Sequence, residues 1–215
     1  MRLVKEDILN IDRYLKDKGI KFLDVRYELI DHLVSEYEAM ENYPDLESFL
    51  IKRVAWCKKV AEERRKAIHW KYQKALQLRL LGFLKQPLFY FLLVLWAIFL
   101  ILINAKISST FYYGMLMSIL ITIVVFQVGF FFYMKRKDGF KKKVLSYDTI
   151  FNIYILPQLF LHLPTFMNPI LKDNPFWCGL FFTIAYIVNI AALLVTMTKR
   201  KQIIEEYTFL KKYFS

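Results

Sequence analysis

Four long apolar stretches, residues 87–105, 110–134, 149–171 and 175–198, contain no Asp, Glu, Lys or Arg. A hydrocarbon layer of ~30 Å takes about 20 apolar residues in helix to cross. Each stretch meets that length, so the chain is expected to be an all-α, polytopic integral membrane protein. The first ~80 residues differ: they are charged, periodic and free of any membrane-length run. Three parts follow. Residues 1–84 read as a helical domain with a juxtamembrane helix, 85–198 as a four-helix transmembrane domain, and 199–215 as an amphipathic tail.

The basic residues orient the spans. Between the second and third spans lie Lys135, Arg136, Lys137, Lys141, Lys142 and Lys143; Lys199, Arg200 and Lys201 follow the fourth. Ahead of the first come Arg64, Arg65, Lys66, Lys71, Lys74, Arg79 and Lys85. The opposite loops hold only Lys106, and Lys172 beside Asp173. Loops rich in Lys and Arg stay in the cytoplasm, so both termini are expected there. The net charge of +12 is then a topology signal, and no nucleic-acid partner is expected. Juxtamembrane basic clusters do attract anionic lipid head groups. Met1-Arg2-Leu3-Val4-Lys5-Glu6-Asp7 lacks an apolar signal region, so the first span is expected to direct its own insertion. Cys57 and Cys178 fall in different compartments by this topology, which excludes a bond between them.

The N-terminal part reads as three helices. Ile8, Ile11, Tyr14 and Leu15 line a first helix from about residue 5 to 18, and Gly19 suits a left-handed C-cap. Asp24 is expected to cap a second helix carrying Val25, Leu29, Ile30, Leu33, Val34, Tyr37 and Met40. Asn42-Tyr43-Pro44 breaks it. Asp45 then caps a third, with Phe49, Leu50, Val54 and Val60 inward and no Gly or Pro before Gly82. Such a domain buries little core and would be marginal alone. Residues 66–84 mix basic side chains with Ile68, Trp70, Tyr72, Leu76, Leu80 and Leu81, which suits a helix at headgroup level or a plain connector. Ile203, Tyr207, Leu210 and Phe214 make the tail amphipathic.

The block from Asp24 to Glu38 contains Glu28-Leu29-Ile30-Asp31-His32 and follows Tyr14-Leu15 and Gly19-Ile20. It resembles the cytoplasmic module of bacterial HAAS-type (PadR-operon-associated) membrane proteins, with their Glu-Leu-x-x-His core. It is still more similar to uncharacterised four-span membrane proteins of Bacteroidetes, which carry a Glu-x-x-Asp-His block and a downstream Trp, here Trp56. The resemblance covers about residues 5–60. It implies a regulatory or signalling role in the bacterial inner membrane rather than catalysis.

Glu28, His32 and Glu36 are spaced by four on one helix face, with Asp31 beside the imidazole. Three readings fit the row: an ion-paired His32 that fixes helix packing, a partner-binding surface, or a metal site needing one more ligand. The partner surface (Glu28, Asp31, His32, Glu36) is the functional candidate; no metal or other cofactor is assigned. The third span is unusual in holding Asn152, Gln158, His162 and Asn168 with Pro157, Pro164 and Pro169. Polar groups at that depth are expected to face the bundle interior or a wet cavity. They would line a pathway, or bond to Gln127, Thr183 or Asn189 on other spans. Nucleotide-binding glycine loops, Gly-x-Ser-x-Gly and His-Glu-x-x-His are all missing, and Glu205-Glu206 lacks the Arg and His partners of intramembrane CAAX-type proteases. No catalytic residue is assigned and no enzyme is expected. The expectation is an integral inner-membrane protein with a regulatory, signalling or scaffolding role through a protein partner, self-associating or not. The alternative is a small-solute or lipid-handling component using Asn152, Gln158 and His162.

Overall fold

A computed structural model describes residues 3–139 and 143–213, with the side chains of 210–213 left aside. Phe140, Lys141 and Lys142 of the basic loop, and Leu210 and Phe214 of the tail stripe, lie outside what is described. Among the described residues every regular element is helical. The helices are α1 (Lys5–Asp17), α2 (Leu23–Glu38), α3 (Leu46–Phe83), α4 (Pro87–Asn104), α5 (Ser109–Asp138), α6 (Leu145–Asp148), α7 (Ile155–Asp173) and α8 (Pro175–Tyr213). Four of these stretches are long and apolar enough to cross a membrane, as a multi-pass membrane protein requires.

The chain forms two compact units. The first comprises 1–71, 139–150 and 199–215; the second comprises 72–138 and 151–198. The N-terminal helices are thus grouped with the segment between α5 and α7 and with the tail.

In the first unit, α1 stops in a left-handed turn at Gly19, whose φ is 95°. The Gly19 amide donates to the Lys16 carbonyl and the Ile20 amide to that of Leu15, each at 3.0 Å. These are the two bonds of a Schellman cap, and buried Ile20 supplies its apolar contact. α1 packs against α2, and Ile11 and Leu15 of α1 and Leu29, Ile30 and Leu33 of α2 are all buried. Asp45 caps α3, accepting from the Ser48 amide at 3.1 Å. Cys57 takes the inward position on α3, while Val54 and Val60 are half-buried. Leu145, Tyr147, Ile150 and Ile203 are buried as well. Asp24 does not cap α2: Phe22 stands at the cap and Asp24 lies in the first turn.

In the second unit, α8 is the central helix. Phe182 and Ala185 on it are fully buried in one cluster with Leu116 and Leu120 of α5, and Ala191 and Ala192 are fully buried further along. Small side chains let membrane helices approach closely. Gly179 shows how closely: a Cβ there would lie 2.9 Å from the Tyr112 hydroxyl. α4 buries only Leu100. The third candidate span, Leu145–Asp173, contains a 3-10 turn (Ile150–Tyr154) ahead of α7. Pro157, in the first turn of α7, has no N–H to give the Ile153 carbonyl, so the regular helix starts there. Asn152 therefore lies on the turn, not within α7.

α8 runs on through the tail without interruption, so the amphipathic tail is its last turns. Along α3, Ile68, Tyr72 and Leu76 point inward, whereas Trp70, Lys74, Leu78 and Leu81 are exposed.

Candidate functional site

The sequence-derived candidates on α2 meet α3 along one seam. Glu36 pairs with Arg53, and Glu28 with Arg64 at 3.1 Å. Between these ion pairs the His32 ring stands edge-on to Trp56, with centroids 6.3 Å apart. The imidazole thus faces an indole, and the carboxylates of its row face guanidinium groups. Asp31 is exposed beside the seam. Trp56 is 40% exposed, and Arg53 and Arg64 are 43% and 50% exposed. Exposed ion pairs add little stability, so the seam's polar members remain free to exchange partners. Among the described residues no three His, Cys, Asp or Glu side chains gather as a metal site would need.

Two residues outside the candidate set anchor α2. Arg26 is 3% exposed. Its Nε donates to Asp12 Oδ1 at 2.6 Å, and its Nη1 donates to the carbonyls of Ile20 at 3.1 Å and Lys21 at 3.0 Å. One guanidinium therefore ties α1, the α1–α2 link and α2 together. Asp24 accepts from the Leu145 amide at 2.9 Å, and from the Ser146 amide at 3.1 Å and hydroxyl at 3.0 Å. The Leu23 amide adds a 2.8 Å bond to the Lys143 carbonyl. The segment leading into the third span is thereby bonded to the start of α2. Burial on α3 pushes the Cys57 thiol up to about 11, against the weaker opposing effects of its own amide and Arg53.

The second unit holds a polar core. Gln127 Nε2 donates to the Asn189 carbonyl at 3.0 Å, and Asn189 Nδ2 to the Ala185 carbonyl at 2.8 Å. Trp96 donates to the Thr183 hydroxyl at 2.9 Å. These bonds involve Gln127, Thr183 and Asn189 but not the third-span candidates. Asn152 takes part only through its backbone, whose carbonyl accepts from Gln73 at 2.6 Å. Gln158 and His162 sit one turn apart on α7, and both are exposed. Gln158 also lines a small cavity with Gln127, Tyr154 and Asn189, whereas His162 does not. Pro164, by contrast, is buried.

A groove of about 370 Å³ runs between α4 and α8, lined by Leu93, Trp96, Ala97, Leu100, Gly179 and Thr183 among others. Asn104 and Tyr112 bring polar atoms to it.

Comparison of the chain with protein-family models, with curated proteins and with solved structures finds no match. The functional reading therefore stands on this geometry.

Proposed function

We propose that this multi-pass membrane protein is a regulatory or scaffolding component of the bacterial inner membrane, which binds a protein partner through the α2–α3 seam. The observation that carries the reading is the half-exposed Trp56, set between Arg53 and Arg64 and against His32. Trp and Arg dominate the energetics of protein interfaces, and a ring of weaker polar contacts around them excludes water. Glu28, Glu36 and Asp31 supply that ring.

The compact first unit supports a cytoplasmic placement. The grouping of 1–71, 139–150 and 199–215 in one compact unit supports placing them on one side of the bilayer. That side carries the Lys/Arg excess. The exposed Trp70, Lys74, Leu78 and Leu81 suit contact with anionic lipid head groups. The resemblance of residues 5–60 to HAAS-type modules and to Bacteroidetes membrane proteins points to the same role.

The test is co-purification of the full-length protein in mild detergent with mass spectrometry of what it retains. Trp56→Ala and His32→Ala should release a stoichiometric partner while the fold persists. Identical retention by wild type and both variants would sink the reading.

The α4–α8 groove favours a second reading, lipid handling, located away from the third span. Its walls are apolar and lie on helices long enough to cross a membrane. Filling it with Ala97→Phe should displace a co-purifying lipid. A lipid content unchanged by that substitution would remove this reading.

A further inference from the structure

Ile155, Leu159, His162, Phe166 and Ile170 follow one another on α7 at steps of four, three, four and four residues. That spacing lines one helix face. All five are exposed, Phe166 by 83%. Gln158 and Thr165, one turn before and after His162, are exposed beside them. On α4 the exposed surface is largely hydrocarbon, with Leu88, Phe91, Leu92 and Leu95, and the exposed hydroxyls of Ser118 and Thr122 on α5 donate to carbonyls of their own helix. Among the described residues, neither the Gln158 amide nor the His162 imidazole has a hydrogen-bond partner.

On a soluble helix this would mean little. On a span it is costly, because lipid tails offer neither donor nor acceptor to an amide or imidazole. Both groups carry a donor and an acceptor at once. Two copies of the same face can therefore satisfy each other about a two-fold axis, as an isologous contact requires. No charged residue lies between Thr149 and Leu171, so like copies meet without repulsion. Buried Pro164 keeps its backbone irregularity on the opposite side of α7.

We infer that two copies of this chain pair through the outer face of α7, with Gln158 and His162 hydrogen-bonding across the axis and Phe166 packing beside them. The residues of this contact are none of those that form the α2–α3 seam.

The test uses the full-length protein in lipid nanodiscs. Native mass spectrometry should show a dimer. Oxidative crosslinking should join Phe166→Cys or Leu159→Cys copies and leave Leu95→Cys, on α4, unjoined; the native Cys57 and Cys178 are buried and give no background. Removing both polar groups with Gln158→Leu and His162→Leu should raise the dimer dissociation constant about tenfold, as expected for a few membrane hydrogen bonds. A monomeric wild type, crosslinking at Leu95→Cys as strong as at Phe166→Cys, or an equally tight dimer of the double variant would each overturn the inference.

Discussion

Arg26→Met is the most informative single perturbation of the first unit. Methionine keeps the aliphatic length and removes every polar contact of the guanidinium. Two carbonyls, those of Ile20 and Lys21, lose a charged donor. Such bonds contribute about 1.5 kcal/mol each. Asp12, 16% exposed, loses its cation. Its partial exposure lets water recover some of that loss, so the carboxylate adds about 1 kcal/mol. The sum, about 4 kcal/mol, falls in the range for breaking a buried ion pair. It is a large share of the ~5–15 kcal/mol that holds a typical domain together. Hydrogen-exchange mass spectrometry on the full-length protein in nanodiscs reads the effect by segment. Amides of α1 and α2 should lose about three decades of protection, while those of α4 and α5 keep theirs. Adding Asp12→Leu should restore part of the loss, because the stranded carboxylate goes while the two carbonyls stay without a donor. A protection loss below tenfold in Arg26→Met would refute the argument, as would a double variant worse than the single one.

Asp24→Ala should speed exchange of the Leu145 and Ser146 amides by about 30-fold, from the roughly 2 kcal/mol of hydrogen bonding it removes, with α1 unaffected; unchanged exchange there would count against the bond. Burial of Cys57 raises its thiol pKa from the ordinary 9.0 to about 11. Alkylation of the native protein should therefore stay slow at pH 8.5. By linkage, the stability contributed by the neutral thiol is whole below pH ~9 and is lost as pH rises through about 11. A Cys57→Ala variant with the same loss between pH 9 and 11 would exclude the thiol as the cause. Gly179→Ala should lower Tm through overpacking of about 1–2 kcal/mol against the Tyr112 hydroxyl, and Tyr112→Phe should recover it; a Gly179→Ala protein as stable as wild type would contradict the close approach.

How much of this was legible depends on whether local or distant groups set each feature. The spans were, because an uninterrupted apolar run is its own signal: α4 ends at Asn104, one residue before the expected limit. Gly19 was legible for the same local reason. Asp24 was readable as a helix-start residue, but its carboxylate serves amides 121 and 122 residues away, which no local pattern carries. The late start of α7 depends on Pro157, present in the sequence, and on Gln73, 79 residues upstream of Asn152. Arg26 could have been found. It shares the core stripe with Leu29, Ile30 and Leu33 at steps of three, four and seven, and a charge on an apolar stripe signals a buried partner. The seam was half legible: Glu28, His32 and Glu36 do share a face, but spacing alone could not name Arg53, Trp56 and Arg64 as what they face. His162 and Gln158 carried the opposite difficulty. Polar residues in a span announce themselves, yet which side of the helix they occupy is decided by neighbours the sequence does not order.

The bond from Asp24 to Leu145 also sets a schedule for biosynthesis. Bacterial and eukaryotic ribosomes add about 5–20 residues per second, so the 121 residues between donor and acceptor separate their emergence by about 6–24 s. Throughout that interval two spans must be threaded into the bilayer before the first unit can close around its last pieces. The N-terminal helices therefore cannot mature ahead of membrane insertion. A nascent chain whose second span fails to insert correctly would keep Leu23 and Asp24 unpaired, exposing an incomplete domain to quality-control proteases.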